Sequence, residues 1–198
     1  MSSDKVFEPI NKYVAKCISI SKKEQEYFNS ILKHKKVKKK DFLLRAGEVC
    51  DFEAFIIKGC VRVYYVDANG IEVDIYFAIE DWWIGDLASF YQQKPSQLYI
   101  QAIEESELLV ISYKDKEKLF EKVPAFERLF RLMLQRANET LINRLISNIS
   151  KPAEERYKEF TKKYPTISQR VPQQLIAAYL GISPEFLSKI RKRIVKGK

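Results

Sequence analysis

The sequence predicts an α+β protein in three parts: an antiparallel β-sandwich or barrel, a long helix, and a C-terminal helix-turn-helix. Three observations predict it. Between Asp41 and Ser112, short runs of β-branched and aromatic residues alternate with turn signals, and no long helical pattern intervenes. From Ala125 to about Ser150, apolar residues recur at spacings of three and four. From Val171 to Arg193 the chain reads VPQQLIAAYLGISPEFLSKIRKR, which fills a helix-turn-helix position by position.

Taken in order, residues 1 to about 40 read as helical. Ile10, Tyr13, Val14 and Cys17 are spaced for one face, and Tyr27, Phe28, Ile31 and Leu32 for another. The run from Lys33 to Lys40 then carries six lysines and reads as a solvated connector, with nucleic-acid binding as the alternative. Strands are expected at Phe42–Arg45, Phe55–Lys58, Val61–Asp67, Ile71–Ile79, Tyr99–Ile103 and Leu108–Ser112. Asn69-Gly70 supplies the positive φ that a tight hairpin needs. In the run from Ile71, alternation assigns Val73, Ile75, Phe77 and Ile79 to one face, and Glu72, Asp74 and Tyr76 to the other. A short helix over Lys114–Glu121 stops before Pro124.

The long helix follows. Phe126, Phe130, Met133, Ala137, Leu141 and Leu145 form a near-heptad stripe that needs a partner, so a two-helix homodimer seam is expected there. Ser150-Lys151-Pro152 breaks the chain, and Ala153–Tyr164 is a further helix. In the helix-turn-helix, Ile176 and Leu180 form the inner face of the first helix, and Ala177 permits close crossing. Gly181 takes the bend, Ile182 plugs the angle, Ser183 is the N-cap and Pro184 fits the first helical position. Leu187 and Ile190 face inward, leaving Glu185, Ser188, Lys189 and Lys192 outward, where they can reach base edges or phosphates.

Charge supports that assignment. The 198 residues carry a formal net charge of +9. Twelve basic and four acidic residues from Lys151 onward put +8 of it on the last segment. A positive field concentrated there suits a phosphate partner. Cys17, Cys50 and Cys60 are widely spaced and His34 is the one histidine, so no metal site and no disulfide framework are expected. No nucleophile–base–orienter set is visible, so no catalytic residues are assigned and an enzyme is not expected. No signal-peptide pattern or membrane-length apolar run occurs, which implies a cytoplasmic protein without a membrane partner.

The order of these parts, with Leu43-Leu44-Arg45-Ala46-Gly47-Glu48, Ile57-Lys58-Gly59-Cys60-Val61-Arg62-Val63, Ile84-Gly85-Asp86-Leu87 and Ser112-Tyr113, resembles the Crp/Fnr superfamily of bacterial transcription regulators over nearly the whole chain. The resemblance implies a jelly-roll-like β-roll sensor domain of cyclic-nucleotide-binding type at 1–122. A dimerisation helix at 123–150 and a DNA-binding domain at 151–198 would follow. The chain runs only about five residues past Arg193, so little or no downstream wing is expected, and wing-like strands would come from Pro165 to Val171.

In nucleotide-binding relatives, the loop matching Gly85 to Gln101 offers helix N–H groups, an acid for the ribose and an arginine for the phosphate. Here Gly85, Asp86, Leu87, Ser96 and Gln97 are the candidate effector-pocket residues. Asp86 is shorter than the usual glutamate, and Ser96-Gln97 stand where the arginine would be. Losing a charge-assisted pair of about 1.5–3 kcal/mol argues against cyclic AMP. No cofactor is expected, and the effector is left unidentified. Phe77, Trp82, Trp83, Phe90, Tyr91 and Tyr99 read as roll core, with an apolar effector pocket as the alternative.

For DNA, the resemblance assigns base reading to Ser183, Pro184, Glu185, Ser188 and Lys189, and phosphate contacts to Gln173 and Gln174. Proline at 184 removes a common guanine-reading arginine. The expected partners are double-stranded DNA and a second copy of the chain, and the resemblance also allows RNA polymerase. The competing function is a ligand-sensing module that has lost DNA binding and works through protein contacts.

Overall fold

A computed structural model describes residues 4–196. Two helices open the chain, α1 (Asp4–Ala15) and α2 (Lys22–Ile31). Ser21 and Glu24 close a capping box at the start of α2. Eight strands follow: β1 (Lys33–Val37), β2 (Phe42–Leu44), β3 (Phe52–Lys58), β4 (Val61–Val66), β5 (Glu72–Ala78), β6 (Trp83–Ile84), β7 (Tyr99–Ala102) and β8 (Ser106–Ser112), with α3 (Leu87–Gln92) inserted between β6 and β7. They form two antiparallel four-stranded sheets, ordered β1-β8-β3-β6 and β2-β7-β4-β5.

Leu44, Ala54, Ile56, Val61, Val63, Ala78, Ile100, Ala102 and Leu108 fill the space between the sheets. Phe55, Leu109 and Ile111 turn the other way, onto Ile10, Val14, Phe28 and Leu119 of the flanking helices. Both faces of β3 and β8 are therefore buried. That is why these strands read as nearly unbroken apolar runs.

Helices complete the chain: α4 (Tyr113–Lys122), α5 (Ala125–Ser150), α6 (Ala153–Lys163), α7 (Pro165–Arg170), α8 (Gln173–Leu180) and α9 (Pro184–Lys196). No helix among the described residues is long and apolar enough to cross a membrane.

Four expectations are corrected. The lysine run is not a connector: Lys33–Val37 is an edge strand paired to β8, with every side chain but Val37 exposed. Lysines on an edge discourage further pairing, so the charge that hid the strand also protects it. The wing expected over Pro165–Val171 is instead α7, whose first position is a proline. Strict alternation fails in β5 because a bulge sits between Val63 and Tyr64, pairing them with Tyr76 and Asp74. Tyr76 and Ala78 thus join the inter-sheet core, and Phe77 faces the C-terminal helices.

The dimer stripe also shifts. Phe126 and Phe130 are buried in the chain's own core and Met133 packs against it, because α5 starts beneath α1 and α2. The apolar surface left open on α5 is Leu134, Leu141, Ile142, Leu145, Ile146 and Ile149, with Ala137 exposed beside it.

Gly59 ends β3 with φ +113, and a Cβ there would run into the Ser106 side chain and lie 2.7 Å from its Cα. Strain and collision add, so Gly59→Ala is expected to cost about 3 kcal/mol. Thermal unfolding should show Tm lowered by about 6–12 °C. An unchanged Tm would mean that the turn relaxes freely.

Candidate nucleic-acid interface and effector loop

The helix-turn-helix is built as its residues require. Ile176, Ala177 and Leu180 of α8 and Leu187 and Ile190 of α9 are buried, and Gly181 turns the chain at φ 65. Ser183 Oγ accepts from the Phe186 N–H at 3.2 Å, capping α9. Ser183, at the head of α9, and Pro184, Glu185, Ser188, Lys189 and Lys192 on it are all exposed, and Arg191, Arg193 and Lys196 of the same helix are exposed too. The Glu185 carboxyl is held below the usual carboxylate range by its own N–H and the Ser183 hydroxyl, which keeps it an acceptor. Gln174 is exposed, whereas Gln173 is half-buried with its amide oxygen enclosed and unpartnered in the protein.

Sequence reasoning missed Phe186, which is 42% exposed at the margin of this polar face. Phe186 stands four residues before the buried Ile190, at the margin of the inward face, so the helical period does not announce its exposure. An exposed aromatic there offers an apolar contact for a thymine methyl.

The effector loop is closed on itself. Asp86 caps α3, its Oδ1 accepting from the N–H groups of Ala88 and Ser89 at 3.1 and 3.3 Å. Its Oδ2 accepts from Ser96 Oγ at 2.7 Å, inside the protein. Ser96 Oγ also takes the Leu98 N–H at 2.8 Å. Ser89 Oγ donates to the Lys94 carbonyl and accepts from the Cys50 N–H. Gly85 is held through its carbonyl by the Tyr76 hydroxyl at 3.2 Å. Leu87 is half-buried and Gln97 points outward, exposed. The structure thus brings Asp86 and Ser96 together, and each satisfies the other.

Nor do the six aromatics make one pocket. Phe77 and Trp82 pack toward the C-terminal helices, and Trp83 stacks edge-on with Phe55 and Phe130. Tyr99 lies flat on Tyr64 at 5.0 Å. Phe90 and Tyr91 instead border a buried ion pair that the sequence did not suggest. Lys116, fully buried on α4, donates to Glu53 of β3 and to the Tyr91 hydroxyl, and its Nζ sits 3.8 Å from the Phe130 ring centroid. Burial pushes the Glu53 carboxyl up against the pull of Lys116. This cluster joins α3 of the loop to α5.

The C-terminal helices dock on the roll. Phe160, Ile167, Val171, Ile176, Ala177 and Leu180 share one apolar cluster with Cys60 and Phe77 of the roll. Arg170 of α7 bridges Glu80 and Glu104, at 2.7 Å to Glu80 Oε2. Arg144 of α5 donates to the carbonyls of Asp74, Ile75 and Tyr179.

Among the described residues no three His, Cys, Asp or Glu side chains are grouped to hold a metal ion. The three cysteines are free, and burial pushes the Cys60 thiol up to about 12 and Cys50 upward too. His34 lies 3.1 Å from Glu107 on the strand edge.

Residues 34–123 match the cyclic nucleotide-binding domain family. No curated relative matches the sequence. Among solved structures, the chain is similar to CLP of Xanthomonas campestris, described as a c-di-GMP-responsive global regulator, with TM-score 0.74 at 15% identity over 89% of this chain and 93% of that one. It is similar to FixK2 of Bradyrhizobium japonicum, with TM-score 0.74 at 15% identity over 84% and 86% of the chains. It is also similar to a putative Crp/Fnr-family regulator of Eubacterium rectale, with TM-score 0.68 at 17% identity over 98% and 89%. The fold is therefore that of the Crp/Fnr regulators, with a β-roll, a long helix and a helical C-terminal unit.

Proposed function

We propose that this chain is a dimeric, sequence-specific DNA-binding transcription regulator of Crp/Fnr type, acting in the cytoplasm of a bacterium. The observation that carries the reading is the α9 face: Glu185, Ser188, Lys189 and Lys192 exposed on a helix whose opposite side is locked into a helix-turn-helix core. Residues 151–198 form the DNA-binding domain in this reading, 123–150 the dimer helix and 1–122 the sensor. The exposed apolar stripe of α5 supplies the contact between two copies, which presents two α9 helices to the half-sites of one symmetric operator.

The sensor's effector is not a cyclic nucleotide in this reading. Asp86 spends its carboxylate on the α3 cap and on Ser96, and no guanidinium lies between Arg62 and Arg128 to hold a phosphate. A ligand would have to break those bonds and would find no bidentate cation in return.

Selection of preferred duplexes from a random pool, with and without cyclic AMP, tests both parts. A two-fold symmetric site enriched equally in both arms is the expected result. Enrichment only with the nucleotide would overturn the reading of the loop, and none in either arm would count against DNA recognition.

Within the selected site the α9 lysines should separate. Lys189→Ala should cost about 1–3 kcal/mol on the specific duplex and relax preference at one base position. Lys192→Ala should weaken specific and random DNA by the same factor. Identical behaviour of the two variants would misplace the reading face.

A further inference from the structure

The break at Ser150-Lys151-Pro152 turns α6 back along α5. Ser147 Oγ donates to Glu159 at 3.0 Å, Arg156 Nη1 donates to Asn148 Oδ1 at 3.0 Å, and Lys151 pairs with Glu159. Between the two helices lies a cleft of about 590 Å³, which Tyr179 and Leu180 at the end of α8 also line. Ligand sites run to about 300–1,000 Å³, so this one has room for a small organic molecule.

Charge in the cleft is one-sided. Five cations line it, Arg144, Lys151, Arg156, Lys162 and Lys163, against the single carboxylate of Glu159. Lys151 already holds that carboxylate, and the other four cations make no ion pair among the described residues. Arg144 donates to the carbonyls of Asp74, Ile75 and Tyr179, and Arg156 to Asn148 and to the Leu180 carbonyl at 2.7 Å, all neutral oxygens. Arg156 Nε is enclosed with no acceptor. Burial lowers the Arg144 pKa from its ordinary value and the charge of Arg156 pushes the same way, so the two guanidiniums stand near enough to repel. Exposed lysines alone would be solvated surface. Two half-buried arginines without an acid are short of a counter-charge. The rest of the lining is aromatic: the Phe160 ring centroid lies 5.7 Å from Tyr164 and 5.0 Å from Tyr179.

We propose that the cleft between α5 and α6 binds a small phosphate monoester with a flat, ring-bearing body. Four cations without acids call for more than one negative charge, which a phosphate monoester carries at neutral pH. Guanidinium forks grip its oxygens, the lysines add mobile point charges, and the ring packs on the aromatic lining. Because α5, α6 and α8 share the cleft, a ligand there ties the long helix to the helix-turn-helix. In the DNA-binding reading, on which this consequence alone rests, the cleft is the effector site that the closed β-roll loop does not provide.

The full-length protein is titrated calorimetrically with phenyl phosphate and, separately, with inorganic phosphate. The variant is Lys162→Gln/Lys163→Gln, a change at two exposed positions that leaves the core alone. The control is Lys114→Gln/Lys118→Gln, an equal charge change on exposed residues of α4. Wild type should take one phenyl phosphate per chain, about tenfold more tightly than inorganic phosphate. The variant should bind it about tenfold more weakly, and the control should match wild type. At a concentration that saturates only wild type, phenyl phosphate should shift operator affinity at least about fivefold in wild type and leave the variant unmoved.

No saturable binding, or equal weakening in variant and control, overturns the site. Inorganic phosphate bound as tightly as phenyl phosphate overturns the part given to the ring. Loss of affinity for random duplex in the variant, with no phenyl phosphate bound by wild type, would make these cations DNA contacts and overturn the proposal. Phenyl phosphate bound with operator affinity unchanged overturns the effector role alone. Wild-type protein that takes phenyl phosphate but binds no duplex overturns the DNA-binding reading and leaves the site standing.

Discussion

Aspartate at both Leu141 and Leu145 is expected to turn the protein into a monomer and to cut affinity for a symmetric operator by at least a hundredfold. The two leucines are 52% and 54% exposed in the single chain, on the same face of α5 as Ile142, Ile146 and Ile149. Burying one leucine is worth roughly 1.5–3 kcal/mol, and two-fold symmetry counts each position twice. With about half of each side chain already covered in the single chain, four burials would thus contribute about 3–6 kcal/mol, and charge repulsion across the axis adds to the loss. Sedimentation at micromolar concentration reads the assembly state directly. A dimer that survives both aspartates would place the seam elsewhere. Phe130→Ala gives the contrast: Phe130 packs inside its own chain, so that change should lower stability by about 3–5 kcal/mol without preventing association.

That contrast also marks where the sequence was legible. A helical stripe at Phe126, Phe130, Met133, Ala137, Leu141 and Leu145 is visible as periodicity, but periodicity does not say which copy covers it. Upstream the cover is α1 and α2, and downstream no part of the described chain covers it. The helix-turn-helix was readable residue by residue because its constraints are local: a small residue at 177, positive φ at 181, a cap at 183. The apolar strands β2, β3, β4, β5, β7 and β8 were readable for the same reason.

What escaped was set by partners far away in sequence. Lys33–Val37 becomes a strand only because β8 offers an edge. Lys116 is buried only because Glu53, 63 residues earlier, neutralises it. The closure of the effector loop was half legible. The missing arginine could be read directly, but the bond from Ser96 to Asp86 needed the fold.

The docking of the C-terminal helices was not legible at all, and it carries the other large effect. Arg144→Ala is expected to destabilise the protein by about 3–5 kcal/mol, far more than an exposed arginine would. Its guanidinium ties α5 at once to the Asp74 and Ile75 carbonyls of β5 and to the Tyr179 carbonyl of α8. Removing it leaves those carbonyls unpaired and strips a cation from the surroundings of Asp74. That carboxylate is fully buried, with neither oxygen hydrogen-bonded.

Burial pushes Asp74 up to about 7, outweighing the pull of Arg62, whose guanidinium is shared with Glu72 at 2.6 Å and Gln101 and comes only within 3.8 Å of Asp74. Arg144 pulls the same way as Arg62, and Glu72 opposes them. The folded state therefore holds a proton on Asp74 that the unfolded chain, with the ordinary value of 3.8, has already released. Between those two values the folded state binds more protons, so stability falls as pH rises and the loss is complete above about 7. From pH 5.5 to 8 this one group should remove about 2 kcal/mol, by 1.36 kcal/mol per unit over the part of the range below 7. Urea unfolding at the two pH values reads the difference, and Asp74→Asn should abolish most of it while Arg144→Ala enlarges it by raising Asp74 further. A wild-type midpoint that rises from pH 5.5 to 8 would mean that Asp74 is ionised in the docked protein, with Arg62 and Arg144 as its true counter-charges.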